Sequence, residues 1–384
     1  MTMNNSQTQR DFTFPVGYHL FHKNKDINFQ LNRFYSFGYW TKADAEQAGH
    51  AIQDRSDWKS VMIGLAEQHI IEKRLMAAAF SYRAAELYTL PDDPDKIRFY
   101  DQFIEIFYSS IQEEKLERFS IPFQSGALPA LRFSPENSKG TIIVHGGFDS
   151  FMEELFTSVR YIADAGYEVI IFEGPGQGAA IRKHNIPMTH EWEHSVTCVL
   201  DYFGLADVTL LGISLGGYLA LRAAAFEDRV SRVISYDISV YDQHGSGLQG
   251  AIYRFFQRNP SIYNWIAEKS MSKSIAAEWL INHGMYINGV DTPTEWLALL
   301  QNYSVSDIAS KVRQDVLLLA GAEDHMVPIK EYDKNRQGLT SARSVTGRVF
   351  TADEQAQNHC QVGNLKLAID VILQWVEEKT SIGS

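Results

Sequence analysis

A serine stands between glycines in the segment VTLLGISLGGYLALRAAA, as Gly212-Ile213-Ser214-Leu215-Gly216. The apolar run before this serine predicts a β-strand, and the pattern after it predicts a helix. A tight turn between a strand and a helix holds a serine hydroxyl in an exposed, strained position, where it can attack an electrophilic carbon. The helix also directs its amide dipoles at the turn, which favours developing negative charge. We therefore predict that Ser214 is a nucleophile.

A serine nucleophile needs a base to take its proton and a carboxylate to orient that base. After a turn of this kind they follow along the chain in the order serine, acid, histidine. Asp324 follows the predicted strand in DVLLLAGAED, and His359, in QAQNHCQ, is the only histidine C-terminal to His325. The sequence thus predicts a triad of Ser214, Asp324 and His359. Asp237, at the end of RVISYDIS, is the alternative acid, and His325 competes as base if the last strand is misplaced.

The loop after the predicted strand TIIV contains a second feature suited to this chemistry. An attacked carbonyl becomes an oxyanion, which requires two backbone amides already in position. We expect one from Leu215, directly after the serine, and the other from Gly147 or Phe148 in the sequence HGGF. We interpret His145 in the same loop as a residue that shapes the loop, not as a base.

The composition limits the partners of the protein. A net charge of −12 at pH 7 leaves no basic surface to neutralise phosphates, so we expect a small-molecule substrate and neither nucleic acid nor a membrane. The glycines of FEGPGQGAA lack the spacing of a nucleotide-binding loop. Cys198 and Cys360 form neither a metal-site motif nor a disulfide framework. We expect no cofactor and no metal.

The location of the protein follows from two absences in the sequence. The start, MTMNNSQTQRDFTF, is polar and has no apolar run before a small-residue cleavage site, so it does not resemble a secretory signal. No stretch approaches the roughly 18 apolar residues that a membrane-spanning helix needs. These features predict a cytoplasmic protein.

The sequence pattern changes near Leu116. Before it, helical periodicity runs from Trp58 to Ile111 with a break at residues 90–94, and NFQLNRFYSFGYW precedes it as a loop or short helix. After it, short β-branched runs alternate with helical segments, as in a mostly parallel sheet flanked by helices. The predicted strands are TIIVHGG, EVIIFEG, VTLLGIS, RVISYDIS, DVLLLAGAED and GRVFTADE, with FSIPFQSGALPALRF as a hairpin at the sheet edge.

The connection between RVISYDIS and DVLLLAGAED is unusually long. It has about 70 residues, against roughly 4 to 6 in a median connection, and its helical, aromatic-rich pattern predicts a cap. We therefore predict four parts: a helical N-terminal domain (residues 1–115), a first part of the α/β core (116–240), the cap (241–308) and a second part of the core (309–384).

Several side chains are candidates for the walls of a substrate pocket. Ligands of open parallel sheets bind beyond the carboxyl ends of the strands. Glu173 follows a predicted strand directly, and aromatic residues occur in the N-terminal domain and in the cap. We expect the pocket to include some of Tyr35, Tyr39, Glu173, Trp279 and Trp296.

The motifs HGGFDSFMEE, FEGPGQG, GISLGG, GAEDHMVP and NHCQVGN, read together, resemble the α/β-hydrolase superfamily. Within it they are similar to the 2,6-dihydropseudooxynicotine hydrolase group and the fermentation-respiration-switch-like esterases. The resemblance covers most of the chain and implies an α/β-hydrolase core whose site is covered by the N-terminal helices and the insertion, often in a homodimer. It also implies the same triad positions. Met152 stands where the group commonly has a lysine.

These observations favour one function and leave another open. The leading hypothesis is attack by the triad on a carbonyl of a small to medium apolar or aromatic substrate, cleaving an ester, a thioester or a carbon-carbon bond beside a ketone. The alternative is a biosynthetic cyclase or isomerase that uses the same scaffold without net hydrolysis. A protein that only binds is disfavoured, because all three triad residue types occur in the expected order.

Overall fold

A computed structural model describes residues 14–381, except positions 238, 244 and 246 and the side chains of 247–249. Within these residues the strands form one eight-stranded sheet. They are β1 (Glu117–Phe123), β2 (Gly126–Phe133), β3 (Thr141–His145), β4 (Glu168–Phe172), β5 (Val208–Ile213), β6 (Val230–Tyr236), β7 (Asp315–Gly321) and β8 (Ser344–Phe350). Their order in the sheet is β1-β2-β4-β3-β5-β6-β7-β8.

The sheet is parallel except at one edge. Strand β2 pairs antiparallel with both β1 and β4, and all the other neighbours are parallel. The predicted α/β architecture and its edge hairpin are confirmed. Strands β3, β4 and β7 are largely apolar because both faces of the sheet are covered. In β3, Ile142 and Val144 belong to the hydrophobic cluster on one face, and Ile143 between them belongs to the cluster on the other face.

Helices flank the sheet and cover its carboxyl end. Before the sheet lie α1 (Lys25–Ser36), α2 (Lys42–Ala51), α3 (Arg55–Ile71), α4 (Leu75–Leu87) and α5 (Asp95–Ser110). Between strands lie α6 (Phe156–Asp164), α7 (Gly178–Arg182), α8 (Glu193–Phe203) and α9 (Gly216–Ala224). The predicted cap contains α10 (Gly247–Arg258), α11 (Pro260–Met271), α12 (Ile275–Asn288) and α13 (Pro293–Leu300), and α14 (Lys330–Gly338) and α15 (Leu365–Ser381) follow.

One expectation for the N-terminal helices needs correction, and one open alternative is decided. The stretch that begins at Trp58 has a second break, because Lys73 adopts a positive φ of 60° and ends α3 before α4 begins. No glycine or proline marks this break in the sequence. The aromatic stretch before it is mostly the helix α1, which begins where the Asn24 side chain accepts hydrogen bonds from the amides of Asp26 and Ile27.

Buried charges join the N-terminal helices to the core. Glu86 on α4 contacts Arg83 at 2.7 Å, Lys96 of α5 at 3.0 Å and Arg182 of α7 at 2.6 Å. Burial alone would raise the pKa of Glu86, but the three cations hold that pKa well below its usual range. Because removing one partner of a buried ion group leaves an unpaired charge, this network fixes α4 and α5 against α7.

The cap contacts the same helices. The indole of Trp279 on α12 donates to the carbonyl of Leu87 at 2.9 Å, and Glu278 forms an ion pair with Arg55. The N-terminal helices and the cap therefore meet above the carboxyl end of the sheet. Within the described part of the chain, no helix has both the length and the apolar character needed to cross a bilayer.

Candidate active site

Ser214 lies at the turn between β5 and α9. Its φ of 62° is in the left-handed region, and its amide donates to the carbonyl of Tyr236 on the neighbouring strand at 2.6 Å. Glycines on both sides make this turn possible, because a β-carbon on Gly212 would overlap the carbonyl oxygen of Gly216. The strained turn that the sequence predicts is therefore present, and it exposes the serine side chain beyond the end of the strand.

The structure brings together the three residues of the predicted triad. Ser214 Oγ is 2.8 Å from His359 Nε2, and His359 Nδ1 is 2.7 Å from Asp324 Oδ2. The other oxygen of Asp324 accepts the amides of Met326 and Val327 at 2.7 and 3.1 Å. This carboxylate is thus held by its own loop while it contacts the imidazole.

The alternative acid, Asp237, and the alternative base, His325, lie in different positions. Asp237 Oδ2 is 3.7 Å from His359 Nδ1 and accepts the backbone amide of Cys360 at 3.1 Å. The His325 ring packs against Phe29, with centroids 4.6 Å apart, and its centroid is 6.5 Å from that of His359. The imidazole Nδ1–H therefore donates its hydrogen bond to Asp324, and Asp237 lies farther from the same nitrogen.

The surroundings stabilise the charge that proton transfer would create. Burial by itself lowers the pKa of His359, but Cys360 and the hydrogen-bonded Asp324 carboxylate offset this effect and raise that pKa well above its ordinary value. Burial works to raise the pKa of Asp324, yet the hydrogen bonds from His359 and the loop amides hold it below its usual range. An imidazolium at His359 would face an ionised carboxylate.

Two backbone amides are available near the serine. Among the described residues, neither the amide of Leu215 nor that of Phe148 has a hydrogen-bond acceptor, whereas the Gly147 amide donates to Ser150 Oγ at 3.2 Å. Of the two donors predicted in this loop, Gly147 is thus already engaged. Gly147 still matters for the approach of the two loops, because a β-carbon there would lie 2.8 Å from the Leu215 nitrogen.

His145 lies below this loop, inside the protein. Its ring packs against Phe172 and Trp192, and Nδ1 is 3.0 Å from the carbonyl of Gly146. Burial lowers the pKa of His145 to about 4, so the ring is neutral at pH 7. This placement fits the interpretation of His145 as a residue that shapes the loop.

A cavity of about 730 Å³ opens above Ser214. It is walled by α1, by the loop after β3, by cap helices α12 and α13, and by the loop that follows β7. Most of its side chains are apolar or aromatic, and the larger ones are Phe29, Phe37, Phe148, Tyr218, Tyr236, Trp279, Leu280, Trp296, Leu300, Tyr303 and Met326. Such a cavity can enclose a medium-sized apolar molecule.

Three of the five candidates for the pocket wall lie outside the lining. Tyr35 faces away from the cavity and packs against Phe21, with centroids 5.7 Å apart. Tyr39 binds Thr157 through a 2.6 Å hydrogen bond between their hydroxyl groups. Glu173 is buried and accepts the amides of two neighbouring segments. Trp279 and Trp296 do line the cavity.

The side of α1 that faces the cavity was missed in the sequence. Phe29, Arg33 and Phe37 follow one another at intervals of four residues, which places them on one face of the helix. Helical spacing would have identified this face once α1 was known to be a helix. Arg33 contacts Asp149 at 2.9 Å and Glu154 at 3.1 Å, so its charge is balanced at the cavity wall.

Only one group of side chains among the described residues has the spacing of a metal site. The ligand atoms of Asp237, Asp324 and His359 lie within 4.8 Å of one another. His359 already contacts Ser214 through one ring nitrogen and Asp324 through the other. The arrangement therefore suits an acid-base role.

Comparison with known proteins identifies the class. A model of the alpha/beta hydrolase fold matches residues 142–279. A protein of Aspergillus aculeatus, the hydrolase acrC, is 30% identical over 304 residues, which cover 68% of this chain and 71% of that protein. The chain belongs to the α/β-hydrolase family, and it is an enzyme of this class.

Two further comparisons cover more of the chain. The 20-hydroxy-prefusarin hydrolase FUS2 of Gibberella moniliformis is 25% identical over 336 residues, which cover 79% of this chain and 80% of that protein. The crystal structure of a 2,6-dihydroxy-pseudo-oxynicotine hydrolase has a TM-score of 0.66 and 20% identity, covering 92% of this chain and 96% of that one. The shared fold thus includes the N-terminal helices.

We predict that Gly212→Ala destabilises the turn that carries Ser214. The new β-carbon would overlap Gly216 and would lie 2.9 Å from the Ala220 side chain, so the turn must shift. We expect a loss of about 1 to 3 kcal/mol in the free energy of unfolding, measured by denaturant titration. Gly64→Ala on α3 is the matched control, because a β-carbon there meets no atom within 4 Å. Equal losses in both variants would contradict this prediction.

A buried pair of carboxyl groups lies under the loop after β3. Glu153 and Glu173 are 1% and 2% exposed, and Tyr108 donates to Glu153 at 2.8 Å. Burial, together with the nearby Glu173, raises the pKa of Glu153 to about 8. The protonated form of Glu153 therefore predominates at pH 7 in the folded protein.

We predict that Glu153→Gln stabilises the protein increasingly as the pH rises. A glutamate ionises near its ordinary pKa in the unfolded chain, but near 8 in the fold. The folded state thus binds the extra proton, and stability is lost as the pH rises from about 4.5 to 8. Glutamine has no such loss. The Tm of Glu153→Gln should therefore equal that of the wild type at pH 5 and exceed it by about 2 to 5 °C at pH 9. The exposed Glu113→Gln is the control variant, and a Tm difference for Glu153→Gln that does not change with pH would refute the prediction.

Proposed function

We propose that this enzyme is a serine hydrolase that cleaves an acyl bond of a small to medium apolar or aromatic substrate. The bond is an ester, a thioester or a carbon-carbon bond beside a ketone. Ser214 is the nucleophile, His359 the general base and Asp324 the acid that orients it. The observation that carries the proposal is the continuous hydrogen-bonded series from Ser214 Oγ through His359 to Asp324 at the floor of the cavity.

The geometry supports the following first step. Ser214 Oγ attacks the substrate carbonyl while His359 Nε2 takes the hydroxyl proton, and Asp324 stabilises the resulting imidazolium. The carbonyl electrons move onto oxygen, where the free amides of Leu215 and Phe148 are suited to receive the negative charge. Because the cavity is largely apolar, these interactions are stronger than they would be in water.

The second step returns the proton. His359 donates it to the leaving group as the bond breaks, which leaves an acyl group on Ser214. Water, deprotonated by the same imidazole, then attacks the acyl group and releases the acid and the free serine. With a ketone-flanking bond the leaving group is a carbanion, and it receives the proton at carbon.

The cavity and one relative support the substrate class. Aromatic walls and a volume of about 730 Å³ suit an apolar molecule. The relative named as a 20-hydroxy-prefusarin hydrolase favours a hydrolytic reaction over a rearrangement. Together these observations favour hydrolysis of an apolar or aromatic molecule over its rearrangement.

Active-site labelling tests the nucleophile. A fluorophosphonate should label the wild type and not Ser214→Ala, while Ser195→Ala, which removes a buried serine of α8, should be labelled normally. Rapid-quench mass spectrometry with aryl esters and 1,3-diketones should then detect an acyl group on Ser214. If Ser214→Ala kept its turnover while His359→Ala lost it, a base-only rearrangement would replace this proposal.

We also predict that replacing Asp324 lowers activity more than replacing Asp237. Asp324→Asn should lower kcat by about 10³- to 10⁴-fold, because the amide cannot stabilise the imidazolium. His359 acts as a base only when neutral, and Asp324 raises its pKa. The rise of kcat/KM with pH should therefore move to lower pH in Asp324→Asn.

Asp237→Asn is the comparison variant for this prediction. At 3.7 Å from the imidazole, Asp237 should contribute less, and we expect about a tenfold loss or smaller. Full pH profiles of both variants provide the measurement. A larger loss in Asp237→Asn than in Asp324→Asn would show that the acids have been assigned in the wrong order.

A further inference from the structure

The turn after β4, in the sequence FEGPGQG, has no part in the proposed chemistry but contacts the site directly. Gln177 of this turn is 2% exposed, and its side chain reaches the loop after β3. Its Nε2 donates to the carbonyls of Gly146 at 2.7 Å and Gly147 at 2.9 Å. Its Oε1 accepts the amide of Gly174 at 3.0 Å. Both N–H groups of this side chain are thus used on one loop.

The contact with the Gly147 carbonyl sets the direction in which the Phe148 N–H points. The carbonyl of Gly147 and the amide of Phe148 belong to the same planar peptide group, in which the C=O and N–H bonds point in opposite directions. When Gln177 holds the carbonyl on one side, the Phe148 amide is directed to the other. That amide is one of the two free donors beside Ser214.

The side chains of the loop restrain only part of it: Ser150 Oγ accepts the amide of Gly147, while the carbonyl of Gly147 receives its hydrogen bond from Gln177. Gly146 and Gly147 lack β-carbons, and the space for them is occupied: one would overlap Ser150 and the other would lie 2.7 Å from the carbonyl oxygen of Ile213. Glycine peptides rotate more freely than others, so consecutive glycines leave the peptide plane weakly determined. At the Gly147–Phe148 peptide itself, the side-chain restraint is the hydrogen bond that Gln177 donates to the Gly147 carbonyl.

Gln177 itself is firmly attached. It directly precedes α7, where Arg182 is 2.6 Å from Glu86 in the buried charge network. Glu173, in the same turn, accepts the amide of Met152 at 3.2 Å and that of Ala179 at 2.6 Å. The turn is thus bound to the N-terminal helices on one side and to the loop after β3 on the other.

We propose that Gln177 is a positioning residue for the oxyanion: its amide group holds the Gly147–Phe148 peptide so that the Phe148 N–H points at the developing charge. This inference rests on the proposed function, since an oxyanion forms only when a carbonyl is attacked. It assigns to the FEGPGQG turn a role in transition-state stabilisation. Substrate binding before attack does not depend on it.

Gln177→Leu tests the inference, because leucine has a similar volume and no hydrogen-bonding group. Gln177→Glu is the second variant, since its carboxylate has no N–H to donate to the two carbonyls. In both we expect kcat for an aryl ester to fall by about 10- to 100-fold with KM within about threefold, less than the loss of a whole donor. The rate constant of fluorophosphonate labelling should fall in parallel.

A matched pair of substrates separates positioning from a general structural effect. A thionoester carries sulfur where the ester carries oxygen, and sulfur is a poorer acceptor for amide donors. The wild type should therefore prefer the oxygen ester strongly in kcat/KM, and both Gln177 variants should lose most of this preference. A perturbation that merely loosens the fold would slow the two substrates equally.

Gln314→Leu is the control for the loss of a buried, hydrogen-bonded glutamine. Gln314 is 7% exposed, donates to the carbonyl of Ala224 at 2.6 Å and accepts the amide of Arg313 at 2.8 Å, so it has the same kind of contacts far from Ser214. We expect a decrease in Tm in this variant with the wild-type ester preference retained. An unchanged preference in Gln177→Leu and Gln177→Glu, or an equal loss in Gln314→Leu, would overturn the inference.

The outcome for Gln177 can be distinguished from failure of the proposed function. If the wild type is labelled at Ser214 and turns over both esters, the hydrolase assignment stands and the variants decide the inference alone. If the wild type is not labelled and Ser214→Ala keeps its activity, the proposed function fails and the inference fails with it.

Discussion

The hydrogen bond between Ser214 and His359 connects residues that follow strands three positions apart in the sheet. Neighbouring strands are about 4.8 Å apart, so the ends of β5 and β8 are separated by about 14 Å. The chain after β8 must therefore return across the ends of β7 and β6 to bring the imidazole to the serine. Everything in the site depends on this return, because the serine alone is a weak nucleophile.

The order β5-β6-β7-β8 explains why two carboxylates flank the imidazole. Asp237 follows β6 and Asp324 belongs to the loop after β7, and both strands lie between the serine and the histidine. The returning segment passes both acids. Asp324 contacts Nδ1 of the imidazole, while Asp237 accepts the backbone amide of Cys360. One acid thus holds the ring of His359 and the other holds the chain beside it.

The sequence predicts most of what is local in this structure. Strands β3, β4 and β7 are largely apolar runs, and the turn at Ser214 carries its own glycine spacing, so these elements and the chain order of Ser214, Asp324 and His359 could be read directly. The end of α3 could not be, because Lys73 takes a positive φ without a glycine or proline to indicate it. The position of Tyr35 outside the cavity could not be read either, because the face of a helix is unknown until the helix itself is recognised.

The role of Gln177 depends on a contact between residues 30 positions apart, and no local pattern indicates it. A glutamine in a glycine-rich turn is equally compatible with exposure to solvent. Only the packing of the β4 turn under the β3 loop buries the side chain and gives its amide two carbonyls to bind. Long-range polar contacts of this kind limit sequence-based prediction of a site, whereas apolar periodicity identifies its framework.

The return of the chain after β8 ends in a tight turn that Asp237 stabilises. Cys360 and Gln361 both have a φ of 50°, a backbone conformation that residues other than glycine adopt at a cost in free energy. The hydrogen bond from the Cys360 amide to the buried Asp237 carboxylate offsets part of this cost. Because Cys360 directly follows His359, the same bond fixes the backbone from which the imidazole projects. Asp237 can therefore support the geometry of the site through the backbone, in addition to its charge near the imidazole.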